Sequence, residues 1–103
     1  MKTSLLSLQL KSVLRGPNEV FISNNLKFKL LRSNSSLLGF AINKKLGGSV
    51  ERNKFKRVCR AFFIELFQNK PFVYLVVFPQ KPLNKIQNVR EGFLKLKMFV
   101  ENA

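Results

Sequence analysis

Apolar residues recur along this chain with two different periods, and the switches between them divide it into elements. In residues 1–15, Leu6, Leu10, Val13 and Leu14 fall on one side of a helix, with Ser4 as a candidate cap and Gly16-Pro17-Asn18 as the stop. From Val20 to Arg32 the reading is strand: Leu26, Phe28 and Leu30 alternate with Lys27 and Lys29, giving one apolar and one basic side. Asn24-Asn25 reads as a bulge or a kink in that strand. Ser33 to Ser36 reads as a turn and Leu37 to Ile42 as a second strand, so the two are expected to form a hairpin. From Ser49, itself a candidate N-cap, helical spacing returns. Phe55, Val58, Cys59, Phe62 and Leu66 fall on one face, and the helix runs to about Gln68 before Asn69-Lys70-Pro71 ends it. Phe72 to Phe78 is continuously apolar and closed by Pro79, which predicts a central strand buried on both faces, with the Tyr74 hydroxyl satisfied. After a loop from Pro79 to Pro82, Leu83 to Val100 carries Ile86, Val89, Phe93, Leu96 and Val100 at helical spacing. The expected order is α-β-β-α-β-α. It predicts one α/β domain over residues 1–103, an α+β two-layer sandwich with helices against a small mixed sheet.

Charge adds a partner to this picture. Nineteen Lys and Arg stand against five acids, a net charge of +14. Such an excess points to a polyanion, with nucleic acid first and an anionic membrane surface second. There is no His, and all five acids are glutamates scattered along the chain: Glu19, Glu51, Glu65, Glu91 and Glu101. No Ser-His-Asp set, Cys-His pair, paired carboxylates or metal-ligand spacing can be assembled from neighbours in the sequence. Hydrolysis by this chain's own side chains is therefore not expected. The single cysteine, Cys59, cannot close an intramolecular disulfide and reads as a buried, inert thiol.

The charge is concentrated on the helix that starts at Ser49. Opposite its apolar face lie Arg52, Asn53, Lys56, Arg57 and Arg60. Four cation pairs are three or four residues apart: Arg52 with Lys56, Lys56 with Arg60, Lys54 with Arg57, and Arg57 with Arg60. Each such pair costs a helix about 0.2–0.5 kcal/mol, roughly 1–2 kcal/mol in total, and Glu51 before Lys54 offsets little of it. A solvated structural helix mixes signs; a helix that keeps this repulsion is built to meet a polyanion. Upstream, Gly47-Gly48 would supply positive φ for a turn and close backbone approach by a phosphate.

The stretch from Leu37 to Phe63 resembles the signature of the bacterial ribonuclease P protein component. The matching parts are the Gly39-Phe40-Ala41-Ile42 strand, the Lys44-Lys45 pair, Gly47, the Arg52-Asn53-Lys54 triplet, Lys56-Arg57 and Arg60, with spacings that agree throughout. The departures are Leu37 for a usual Arg, Ser49 for a usual Ala, Lys54 for the third member of an Arg-Asn-Arg triplet, and Ala61 for a common acid. Lys54 keeps the charge but lacks the planar fork of arginine.

The resemblance implies the family's left-handed β-α-β crossover, where general rules favour the right-handed one. It also implies a protein subunit of an endonuclease that removes the 5′ leader from precursor tRNA, with hydrolysis carried out by a large RNA subunit and Mg2+ held mainly by that RNA. By the same resemblance Lys44, Lys45, Arg52, Asn53, Lys54, Lys56, Arg57 and Arg60 would bind the RNA subunit. Phe28 and Phe40 read first as core packing; alternatively one of them lies on an open sheet face, and the single-stranded leader would meet it there with Lys27 or Lys29, since an aromatic ring on an open sheet can stack on an unpaired base. The family's first helix often carries aromatic residues; here only Leu and Val stand there.

Other readings of the same charge and size are weaker. A small ribosomal protein or similar non-enzymatic RNA-binding module would not need the full signature. A helix-turn-helix DNA binder would flank the basic helix with a second short helix rather than strands, so DNA is not an expected partner. A cationic membrane-active peptide would not carry a buried central strand, and no membrane partner is expected. The short apolar run near the start lacks a small-residue cleavage site, so the expected location is cytoplasmic.

Overall fold

A computed structural model describes residues 4–16 and 18–102. Residues 1–3, ahead of the expected cap Ser4, and Pro17 of the expected stop lie outside the described residues. The observed order is α1 (Ser7–Arg15), β1 (Glu19–Ser23), β2 (Leu26–Arg32), β3 (Leu37–Phe40), α2 (Ser49–Phe67), β4 (Val73–Pro79) and α3 (Val89–Glu101). Single 3-10 turns at Lys44–Leu46 and Leu83–Lys85 precede α2 and α3.

The first difference from the sequence reading is at Asn24-Asn25. Both residues take left-handed backbone conformations, with φ of 53° and 61°. Two consecutive positive φ values make the tight turn that joins antiparallel strands, and Asn tolerates this conformation better than most residues. The expected single strand from Val20 to Arg32 is therefore a two-stranded hairpin, β1 paired antiparallel with β2. The second difference follows. β2 and β3 do not pair with each other; β4 lies between them, antiparallel to β2 and parallel to β3, in the order β1-β2-β4-β3. Residues 33–36 thus carry the chain past the start of β4 instead of closing a hairpin. There the Ser33 N–H donates to the Phe72 carbonyl (3.0 Å), and the Val73 N–H donates to Ser36 Oγ (3.3 Å).

The core lies on one face of this sheet. Leu26, Phe28 and Leu30 of β2, Leu38 of β3, and Val73, Leu75 and Val77 of β4 pack against Phe55, Cys59, Phe63 and Phe67 of α2 and Phe93, Leu96 and Val100 of α3. The α2 stripe is rotated from the expected one. Phe63 and Phe67 are the fully buried pair, stacked at 5.4 Å, while Val58, Phe62 and Leu66 are half-buried. A face defined by two positions per turn cannot say which of two adjacent phenylalanines points deepest; the tilt of the helix on the sheet decides. The N-cap of α2 is Gly48, not Ser49, and Glu51 Oε1 accepts from the Gly48 N–H at 3.2 Å.

The last helix begins later than Leu83. Asn88 adopts φ 56°, which breaks helical continuity before Val89. Phe93, Leu96 and Val100 are buried as the spacing predicts, and Ile86 and Val89 are half-buried.

The second face of the sheet is half covered. Val13 of α1 and Val76 of β4 are fully buried there. Gly39 lets the chain around α1 come close: a Cβ at that position would lie 3.0 Å from Leu5 Cδ1 and 3.4 Å from Leu10 Cδ1. Leu6 and Leu14, expected to point inward, are 65% and 38% exposed. Ser4 does not cap α1; it forms an isolated parallel bridge with Leu38, and the first turn is closed by Gln9 Oε1 accepting from the Leu6 N–H at 2.8 Å. The β1–β2 side of this face remains open. No described helix is long and apolar enough to cross a membrane.

Candidate RNA interface

The basic face of α2 survives folding as an uncompensated surface. Asn53, Arg57 and Arg60 are exposed, and Arg52 and Lys56 are half-buried. The five glutamates are committed elsewhere or lie far along the chain. Glu19 pairs with Arg32 (2.9 Å), Glu65 with Arg90 (3.4 Å) and Glu91 with Lys95 (3.1 Å), while Glu51 caps the backbone at Gly48. Among the described residues no ion pair therefore neutralises Lys44, Lys45, Arg52, Lys54, Lys56, Arg57 or Arg60. The carboxylates instead neutralise Arg90 and Lys95 of α3. From Arg52 to Arg60 the helix rises roughly 12 Å at 1.5 Å per residue, so cations line two full turns.

Local contacts fix the start of this surface. Asn43 Oδ1 accepts from the Lys45 N–H (2.9 Å), shaping the 3-10 turn that presents the exposed Lys44 and Lys45. Arg52 Nη1 donates to the Gly47 carbonyl at 3.1 Å, which ties that guanidinium to the loop before the helix. Gly47 and Gly48 do not enter the left-handed region expected of them; with φ of 172° and −72° both are extended. Gly47 is needed for space, since a Cβ there would lie 3.0 Å from Leu83 Cδ1 and 3.2 Å from Glu51 Cβ. Lys54 is exposed, as Asn53 is. It lines a groove of about 380 Å³ between α2 and the start of α3, with Phe55, Val58, Leu83, Ile86 and Val89 along it.

The expected leader residues separate. Phe28 is fully buried, edge-on to Phe93 at 5.2 Å, and has no surface to offer a base. It occupies the apolar side of β2, which the alternation with Lys27 and Lys29 had placed inward. Phe40 is half-buried on the α2 side of the sheet, 6.2 Å from Phe55 and edge-on to it, with the Arg60 guanidinium 5.9 Å from its ring centre. Lys27 and Lys29 do lie on the open face. Between them is a ring that sequence reasoning passed over: Phe78, half-buried, with the two ammonium groups 5.7 and 5.4 Å from its centre. The ladder places Phe78 directly opposite Lys27. Exposed Val20 and Ile22 of β1 continue the same face. The signal in the sequence was the last aromatic of the Phe72–Phe78 run, hidden by reading that strand as buried on both sides. On the same side of the sheet Tyr74 is half-buried, and the Ser33 and Ser35 side chains lower its pKa from the ordinary tyrosine value.

Cys59 is fully buried, and desolvation raises its thiol pKa strongly against the smaller opposing effect of Arg60. It is a core side chain, not a reactive one.

Comparison with known proteins matches this arrangement. The family profile described as Ribonuclease P covers residues 9–97, which takes in most of α1, most of α3 and every element between them. The chain belongs to the ribonuclease P protein family. The ribonuclease P protein component of Chlamydia trachomatis serovar L2 is 36% identical over 64 residues, 62% of this chain and 48% of that protein. Its counterpart in Nitratiruptor is 44% identical over 45 residues, 44% of this chain and 40% of that protein. The matched stretch thus spans about half the length of these curated relatives. Among solved structures, the RNase P protein of Staphylococcus aureus superposes with a TM-score of 0.75 at 20% identity, covering 97% of this chain and 98% of that one. The Thermotoga maritima RNase P protein gives 0.73 at 18% identity, covering 100% and 98%. At these identities the structural likeness establishes the ribonuclease P protein fold, and the family profile carries the membership.

Proposed function

We propose that this chain is the protein subunit of ribonuclease P, the ribonucleoprotein endonuclease that removes the 5′ leader from precursor tRNA. The observation that carries this reading is the uncompensated cationic face of α2, on a chain of this family. Arg52, Asn53, Lys56, Arg57 and Arg60, with Lys44, Lys45 and Lys54 beside them, bind the phosphate backbone of the RNA subunit and release its counterions. The open sheet face meets the single-stranded leader. Its groups are Lys27, Lys29 and the Phe78 ring between them, which replaces Phe28 and Phe40 in that role. A half-exposed ring flanked by two cations suits an unpaired base and its neighbouring phosphates.

Phosphodiester hydrolysis belongs to the RNA in this reading. The magnesium ions it requires do not fit this surface, because the α2 face presents cations and the nearby Glu51 is held by the Gly48 N–H. What the protein contributes is neutralisation of phosphate repulsion and a grip on the leader. Its site of action, on this reading, is the cytoplasm.

Reconstitution tests the proposal. The purified protein is mixed with the ribonuclease P RNA of the same organism, and cleavage of a precursor tRNA with a 5′ leader is followed at low magnesium. Protein-dependent cleavage at the mature 5′ end is expected. Tight RNA binding without stimulated cleavage would make the chain a general RNA-binding module instead.

A further inference from the structure

The cations of α2 are not held alike. Arg60 is the last of them, and it stands next to the edge strand β3, where Phe40 is half-buried. The guanidinium carbon lies 5.9 Å from the centre of the Phe40 ring, within the range of a cation–π contact. Phe40 is itself fixed. Its backbone sits in the parallel ladder opposite Val77, and its ring abuts Phe55 of α2 at 6.2 Å and 68°. The guanidinium is thus placed over a ring that cannot easily move, and Arg60 has no carboxylate partner among the described residues.

We propose that Phe40 is a positioning residue for RNA binding: its ring holds the Arg60 guanidinium in place before the RNA arrives. The proposal rests on the reading of α2 as the RNA face. A free surface arginine loses rotamer freedom when it grips a phosphate. A guanidinium already held by a ring face loses less, and its N–H donors remain available. Preorganisation of this kind raises affinity without adding a charge.

A double-mutant cycle tests it. The whole protein is compared with F40L, R60A and the double variant, using affinity for the ribonuclease P RNA across a salt series. F40L keeps a shorter apolar side chain facing Phe55 but removes the π face. It should weaken binding about two- to fivefold with no change in salt slope, because no cation is lost. R60A should weaken binding and lower the slope by roughly one unit. In the R60A background F40L should have no further effect, and F40Y, which keeps the ring, should bind like the native protein. If F40L weakens binding equally with and without Arg60, Phe40 acts through the fold alone and the inference is overturned. Native-like binding by F40L also overturns it. If R60A itself binds like the native protein with an unchanged slope, Arg60 is not an RNA contact, and it is that part of the α2 reading that fails. Circular dichroism melts of the same variants establish that each is folded at the temperature of the binding measurement.

Discussion

Phe62 and Phe63 are neighbours in sequence with different fates. Phe63 is fully buried and stacks on Phe67, whereas Phe62 is half-buried at the edge of the core. Deleting a fully enclosed phenyl ring loses its transfer free energy and leaves a cavity. F63A should therefore cost roughly 3–5 kcal/mol in a denaturant melt, and F62A distinctly less. Equal costs would mean that α2 sits on the sheet in another rotation. The spacing marked the apolar side of α2 but favoured Phe62, because a helical period of 3.6 leaves adjacent residues only 100° apart. Lys27, Phe28 and Lys29 show the opposite case. Strand alternation is strict, so burial of Phe28 and the placement of its lysine neighbours on the opposite face were legible from the pattern itself, and a stacking role for Phe28 was at odds with it.

At the scale of elements, α2 combines a buried stripe with an uncompensated cationic face, and the two are separable. Replacing Arg52, Lys56 and Arg57 together by Ala removes like-charge neighbours worth a few tenths of a kcal/mol each, against loss of the Arg52 bond to the Gly47 carbonyl. The variant should keep its helix content and melt within about 1 kcal/mol of native. Its affinity for the RNA subunit should fall, and the salt slope should drop by about 2 to 3. Unfolding of the triple variant would show that the face is structural. The β1–β2 hairpin shows what a local signal can lose. Asn24-Asn25 is a turn dipeptide, but the flanking residues keep β character on both sides, so the break reads equally well as a bulge until the pairing partner is known.

Across the whole molecule, a charge of +14 on one small domain stores repulsion that counterions relieve. Raising salt from about 10 to 200 mM shortens the screening length from roughly 30 Å to below 10 Å. The melting temperature of the free protein should therefore rise with salt while its RNA affinity falls. A melting temperature that falls over the same range would mean that the three ion pairs outweigh the cationic surface. The opposing trends would have one origin, because the charges that repel one another in the free protein are those proposed to release counterions from RNA.

The sequence by itself determined the helices, the apolar strand that became β4, the cationic face of α2 and the family signature, because each is written in residues close together along the chain. Hydrophobic period, like-charge spacing and turn chemistry act over one or two turns or a single strand, and they read directly. The tertiary structure alone decided what depends on distant partners. It inserted β4 between β2 and β3, turned Phe63 rather than Phe62 into the core, and left half of one sheet face open. It also set Phe78 beside Lys27 and Lys29 and placed the Phe40 ring beneath Arg60. These pairings join residues 20 to 53 positions apart, where strand order and helix tilt are fixed by how the whole core closes.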